Sequence, residues 1–273
     1  MSADVDVAPR IARRFAALRA AGRKALVPFM TAGALGLEDT VPVMHAMGEA
    51  GADAIELGVP FSDPMADGPT IQRSSERALA RGAGMAWVLE RVHEFRQRDT
   101  DTPVTLMGYL NPVEIHGVER YAQQAAQAGV DGALLVDCPP EEADAVQAAF
   151  KANGLYQICL AAPTSSPERL ARLMKNGRGY LYYVSFPGVT GAGHLQTDAG
   201  RDAVARIKAQ GELPVAVGFG VRDGASARAI GEAADAVVIG SALVQTLAAA
   251  ESVQDTVSRA RDFFTPIRAA LDE

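Results

Sequence analysis

The chain has 273 residues, 48% of them hydrophobic, and 26 Lys and Arg against 33 Asp and Glu give a formal net charge of −7. That length suits one large α/β domain over residues 1–273, and an acidic balance without a Lys/Arg cluster argues against an extended nucleic-acid surface. A phosphate ligand stays possible, because helix N-termini bind anions through backbone N–H groups.

Residues 1–9 are acidic, have no apolar signal core and are expected to be poorly ordered. No run reaches the roughly 18 apolar residues of a membrane span, which predicts a cytoplasmic protein. Cys138 and Cys159 sit in apolar, strand-like runs without metal-ligand spacing, and read as reduced core cysteines.

In chain order, an amphipathic helix over 10–21 precedes a first strand at 24–30 and the turn Thr31-Ala32-Gly33. A helix over 38–50 leads to the apolar run 53–59. This second strand carries Glu56 and breaks at Pro60 into a loop with three prolines and two more carboxylates, Asp63 and Asp67. Two helical segments, 70–81 and 85–98, flank Gly82-Ala83-Gly84. A third strand over 104–109 runs into Asn111-Pro112, followed by a helix over 118–128.

Strand four (132–137), a helix over 141–152, strand five (156–161) and a helix over 166–175 come next. Strand six (180–185) opens a glycine-rich loop, 187–197. A helix over 199–210, strand seven (214–218), a helix over 225–232, strand eight (236–239) and helices over 242–250 and 256–271 complete the chain.

Eight strands alternating with helices predict a single (β/α)8 TIM barrel with an extra N-terminal helix. A weak repeat agrees, since Asp53, Asp131 and Asp235 each stand between a helix end and an apolar strand. The competing architecture, an open doubly wound sheet, lacks its dinucleotide fingerprint after the first strand.

Barrel enzymes place their chemistry on loops after the strands, where Glu56 and Asp67 both fall. A carboxylate inside a buried strand costs free energy unless compensated, and a proline-stiffened loop holds side chains in place. The pair therefore reads as a candidate acid/base constellation, with turn and helix capping as the competing reading for each carboxylate alone. Glycines at 188–193, Gly218-Phe219-Gly220 and Gly240-Ser241 follow strands six to eight, the usual phosphate position in barrels, although ordinary βα turns also use glycine.

Taken together, Glu56-Leu57-Gly58-Val59-Pro60-Phe61-Ser62-Asp63-Pro64, Ala66-Asp67-Gly68-Pro69, Pro187-Gly188-Val189-Thr190-Gly191 and Val217-Gly218-Phe219-Gly220-Val221 closely resemble the tryptophan synthase alpha chain family over nearly the whole chain. The resemblance implies a barrel that cleaves indole-3-glycerol phosphate to indole and glyceraldehyde 3-phosphate, without an organic cofactor or catalytic metal of its own. It implies an alpha2beta2 heterotetramer with a pyridoxal-phosphate-dependent beta chain.

By resemblance, Glu56 is the acid/base that shuttles the C3 and hydroxyl protons, and Asp67 is the partner of the indole nitrogen. Tyr182 touches the active carboxylates and Thr190 positions the aspartate. Phe29, Tyr109, Leu134 and Phe219 form the wall around the indole, though core packing competes for Phe29 and Leu134. Gly191, Gly220, Gly240 and Ser241 cradle the phosphate. Asp63 and Pro60 face the partner, with Asn111-Pro112 nearby.

Phe186 departs from the pattern, since some members carry arginine near the mobile loop's start. His45, His93, His116 and His194 match no catalytic role, and Trp87 reads as helix packing. Three other readings stay open: a free-standing indole-releasing lyase, a subunit that mainly activates the beta chain, and a phosphosugar isomerase on the same fold.

Overall fold

The computed structural model describes residues 9–184, 193–218 and 220–273. Its strands are β1 (Ala25–Thr31), β2 (Ile55–Gly58), β3 (Val104–Gly108), β4 (Gly132–Leu135), β5 (Tyr156–Gln157), β6 (Cys159–Ala161), β7 (Leu181–Tyr183), β8 (Val215–Val217) and β9 (Ala236–Ile239). Every pairing is parallel, in the order β5-β4-β3-β2-β1-β9-β8-β7-β6. β5 and β6 are two halves of the predicted fifth strand. The first pairs with β4 and the second with β7, and Ile158 between them donates its N–H to Ala133 O at 3.0 Å. The two ends of the order thus meet in one strand, and nine segments fill the eight positions of a (β/α)8 barrel.

The helices are α1 (Arg10–Ala20), α2 (Thr40–Glu49), α3 (Pro69–Ala80), α4 (Met85–Arg96), α5 (Leu110–His116), α6 (Val118–Ala128), α7 (Asp144–Ala152), α8 (Pro167–Asn176), α9 (Gly193–Lys208), α10 (Gly224–Gly231), α11 (Ser241–Ala248) and α12 (Val253–Asp272). Local signals explain several ends. Ser166 caps α8 by accepting from the Arg169 N–H, with Pro167 in the first turn, and Asp223 and Ser226 form a capping box on α10. None of these helices is long and apolar enough to cross a membrane.

Three departures from the sequence reading stand out. Asn111-Pro112 lies inside α5, a helix the pattern did not predict. Asp137 Oδ1 accepts the Leu110 N–H at its start, and Gly117, at φ +94, breaks it from α6. α7 starts at Asp144 rather than 141, because a turn in which Glu142 N–H meets Pro139 O comes first. α9 begins at Gly193, so His194 is helical rather than in a loop.

Period-two alternation sorts side chains between two environments. Ile55, Leu57, Leu106, Ala133 and Leu135 pack outward in the core shared with the helices. Phe29, Ala54, Leu134, Tyr180, Tyr182, Ala216 and Val238 belong to a second cluster that fills the barrel interior. Glu56, between Ile55 and Leu57, therefore points inward with no solvent exposure.

The repeated aspartates have a structural explanation. Asp53, Asp131 and Asp235 precede β2, β4 and β9. Each accepts a backbone N–H from the start of the preceding strand: Leu26 at 2.9 Å, Val104 at 2.8 Å and Val215 at 2.8 Å. Each also meets a cation, Arg268 at 3.0 Å, Arg96 at 2.8 Å and Lys208 at 2.9 Å respectively. These clamps close the N-terminal end of the barrel, opposite the face that carries chemistry in this fold.

Candidate active site

The mouth of the barrel holds a pocket lined by Phe29, Thr31 and Gly58, by Asp67 from the loop after β2, and by Met107, Tyr109 and Val136. Gly58 is required there by close approach. A Cβ at that position would lie 2.8 Å from the Phe29 ring, so the glycine leaves room for that ring against β2. Gly218 likewise has no room for a side chain, since a Cβ would overlap the Tyr182 hydroxyl.

Glu56 is fully buried on the interior face of β2, beneath the residues that line this pocket rather than among them. Burial pushes its carboxyl up to about 7, against the pull of one hydrogen bond, from Tyr180 Oη to Oε1 at 2.6 Å. Tyr182 is also buried, and burial together with the Glu56 and Asp67 charges holds its phenol well above its usual range. The charges of Glu56 and Asp67 act on Tyr182, but the hydrogen bond to Glu56 comes from Tyr180, which sequence reasoning missed. The available signal was alternation: Tyr180, just before β7, and Tyr182 within it are two apart and both join the interior cluster.

Asp67 is half-buried on its loop, and burial raises its carboxyl above the ordinary aspartate range. Tyr109 opposes the rise by donating to Asp67 Oδ2 at 3.1 Å, and the same phenol oxygen accepts the Ala66 N–H at 3.0 Å. Tyr109 is therefore more than the expected wall residue. Gln72 on α3 also holds the loop, donating to Asp67 O at 2.8 Å, another contact the sequence did not reveal.

Phe29 lines the pocket, whereas Leu134 is fully buried in the interior cluster below. Leu134 packs in the core, the competing reading the sequence left open for it, and Val136, two residues on, reaches the pocket. Among the anion-binding candidates, Gly240 is the N-cap of α11 and Ser241 its exposed first residue, so first-turn N–H groups without intrahelical partners open there. Gly220 has φ +71 with open space where a Cβ would stand. Gly191, Thr190, Phe219 and Phe186 lie outside the described residues.

Asp63 is exposed at the loop tip and accepts Ser62 Oγ at 2.5 Å. Pro60, expected on the partner face, is buried within the chain, two residues past the end of β2. The exposed apolar side chains on the loop after β2 and on α5 are Met65, 84% exposed, and Ile115, 79% exposed. His45 packs at a tilt on Phe95 with ring centroids 4.7 Å apart, His93 contacts Gln97 and His116 contacts Gln124, all away from the pocket. Among the described residues, no three His, Cys, Asp or Glu side chains gather as metal ligands would.

A parallel barrel with a pocket at its mouth and carboxylates on and after its second strand has the layout of a (β/α)8 enzyme. Comparison with known proteins narrows the class. The family model described as tryptophan synthase alpha chain matches residues 15–271. A tryptophan synthase alpha chain of Xanthomonas oryzae pv. oryzae is 62% identical over 265 residues, covering 97% of this chain and 99% of that one. The crystal structure of tryptophan synthase subunit alpha from Legionella pneumophila superposes with a TM-score of 0.91 at 43% identity, covering 97% and 98% of the two chains. A tryptophan synthase structure from M. tuberculosis, in an open form, gives 0.87 at 36% identity, covering 97% and 100%.

The chain belongs to the tryptophan synthase alpha chain family. It is a lyase subunit of tryptophan biosynthesis, and its reaction is the cleavage of indole-3-glycerol phosphate.

Proposed function

We propose that Glu56 and Asp67 divide the acid–base work of that cleavage. Glu56 starts protonated and donates to C3 of the indole ring, leaving positive charge on the ring that Asp67 stabilises through the nitrogen N–H. The Glu56 carboxylate then takes the proton of the glycerol hydroxyl. As the carbonyl forms, the bond from C3 to the side chain breaks and its electron pair returns to the ring. Indole and glyceraldehyde 3-phosphate leave, and Glu56 is again protonated. The observation that carries this reading is the contrast in environments: Glu56 is fully buried with its carboxyl near 7, while Asp67 is half-buried and tethered by a phenol.

In this reading Phe29 and Tyr109 flank the indole, while Gly220, Gly240 and Ser241 meet the phosphate, with Gly191, Thr190 and Phe219 completing the site. The partner is a pyridoxal-phosphate-dependent beta chain that receives the indole in an alpha2beta2 assembly, and the chain itself works in the cytoplasm without a cofactor. Exposed Asp63, Met65 and Ile115 are the side chains offered to that partner. The test is indole release from indole-3-glycerol phosphate by wild type, Glu56→Gln and Asp67→Asn, each with and without beta chain. Loss of turnover in both variants with ligand binding retained, and a rise in wild-type turnover on adding beta chain, are expected. Binding of substrate by wild type without indole release under either condition would overturn the lyase assignment.

A further inference from the structure

Only one of the two Glu56 oxygens is accounted for. Tyr180 serves Oε1, while Oε2 is buried with no hydrogen-bond partner among the described residues. A second orphan stands beside it. Thr105 on β3 is the register partner of Glu56 on β2, so both side chains leave the sheet on its interior face. Thr105 is completely buried, and its Oγ1 also has no completed hydrogen bond among the described residues. The same hydroxyl lies against the Tyr180 phenol, where it pulls the phenol pKa down against the larger upward effects of burial and Glu56. A buried hydroxyl costs free energy unless it bonds, and the polar groups it faces belong to the catalytic carboxylate and its donor.

We propose that Thr105 is a positioning residue for the cleavage, its hydroxyl donating to Tyr180 Oη to complete a relay from Thr105 through Tyr180 to Glu56 Oε1. The proposal rests on the acid–base assignment of Glu56 above. Hydroxyls in series polarise one another, so donation from Thr105 makes Tyr180 a stronger donor to the ionised carboxylate. That form of Glu56 must take the glycerol hydroxyl proton midway through the reaction. No proton leaves the relay, and Oε2 remains the oxygen that exchanges a proton with substrate. The other titratable groups around the relay are Tyr182 beside Tyr180 and Asp67 on the loop after β2.

The experiment measures kcat and kcat/KM against pH in the complex with beta chain, for wild type, Thr105→Val, Thr105→Ser and Glu56→Gln, with thermal unfolding alongside. Thr105→Val keeps the shape and removes the hydroxyl. It is expected to lower kcat about three- to tenfold with little change in KM, and to move the Glu56 limb up by about half a pH unit. Thr105→Ser is expected to restore both. An unmoved limb in Thr105→Val, whether or not its Tm falls, would overturn the relay, as would a serine variant that behaves like valine. Full turnover in Glu56→Gln would overturn the assignment of Glu56 itself, and the relay with it.

Discussion

The Tyr109 phenol ties the end of β3 to the loop after β2: it donates to Asp67 Oδ2 at 3.1 Å and accepts the Ala66 N–H at 3.0 Å. One oxygen thereby fixes both the carboxylate and the backbone beside it, on a loop that otherwise rests on prolines and Gln72. Phe61 packs on the same ring, with centroids 5.1 Å apart, so the phenol is itself held in place.

Tyr109→Phe removes that tether while keeping the aromatic wall. Hydrogen bonds to charged groups contribute about 1.5–3 kcal/mol, and solvent at the half-buried Asp67 reduces the effect. Turnover should fall about tenfold with substrate affinity nearly unchanged. Steady-state kinetics check this, and a variant equal to wild type would show that Asp67 needs no tether.

Glu56→Gln should abolish cleavage yet stabilise the fold at alkaline pH. The folded carboxyl titrates at about 7 and the unfolded one near 4.5. Between these values the native state keeps a proton that the unfolded chain has released, so wild-type stability falls as pH rises through that window. Above it the cost is on the order of 3 kcal/mol, and below about pH 4 it vanishes. Urea unfolding of both proteins at pH 8 and pH 5 should show the gain at the higher pH and a smaller one at the lower. Equal stabilities at pH 8 would contradict the burial cost.

Asp131→Ala should destabilise the barrel without touching the site. It leaves Arg96, 9% exposed, without its carboxylate and strips the Val104 N–H of its acceptor. Arg96 keeps backbone carbonyls of Gly129, Asp99 and Thr102, which places the loss at the lower end of the range for broken buried pairs, about 3 kcal/mol. Chemical denaturation reads the loss, and kcat under folding conditions should not change.

The barrel was legible because alternating strands and helices, with glycine at the helix ends, repeat through the chain. Glu56 and Asp67 were legible because carboxylates are rare in a buried strand and on a proline-locked loop. What stayed hidden depends on contacts between distant segments. Tyr180, just before β7, meets Glu56 across 124 positions; alternation marks it as inward-facing, as it does Tyr182, but does not say which of the two reaches Glu56. α5 was missed because Asn-Pro usually marks a turn, whereas here the Asp137 carboxylate, 27 positions away, supplies the helix start. Pro60 was placed on the partner face by resemblance alone, and burial within the chain is not something a family motif reveals. Leu134 is two residues below the pocket, a depth that period-two alternation alone does not give.

Cleavage by the proposed route requires Glu56 to be a neutral acid when substrate arrives. The protonated carboxyl stretch of Glu56, isolated as the infrared difference between wild type and Glu56→Gln across a pH titration, measures this directly. A band that disappears with a midpoint near 7 is predicted. A midpoint near 4.5, the ordinary glutamate value, would mean that Glu56 is ionised at neutral pH and cannot be the group that protonates the indole ring.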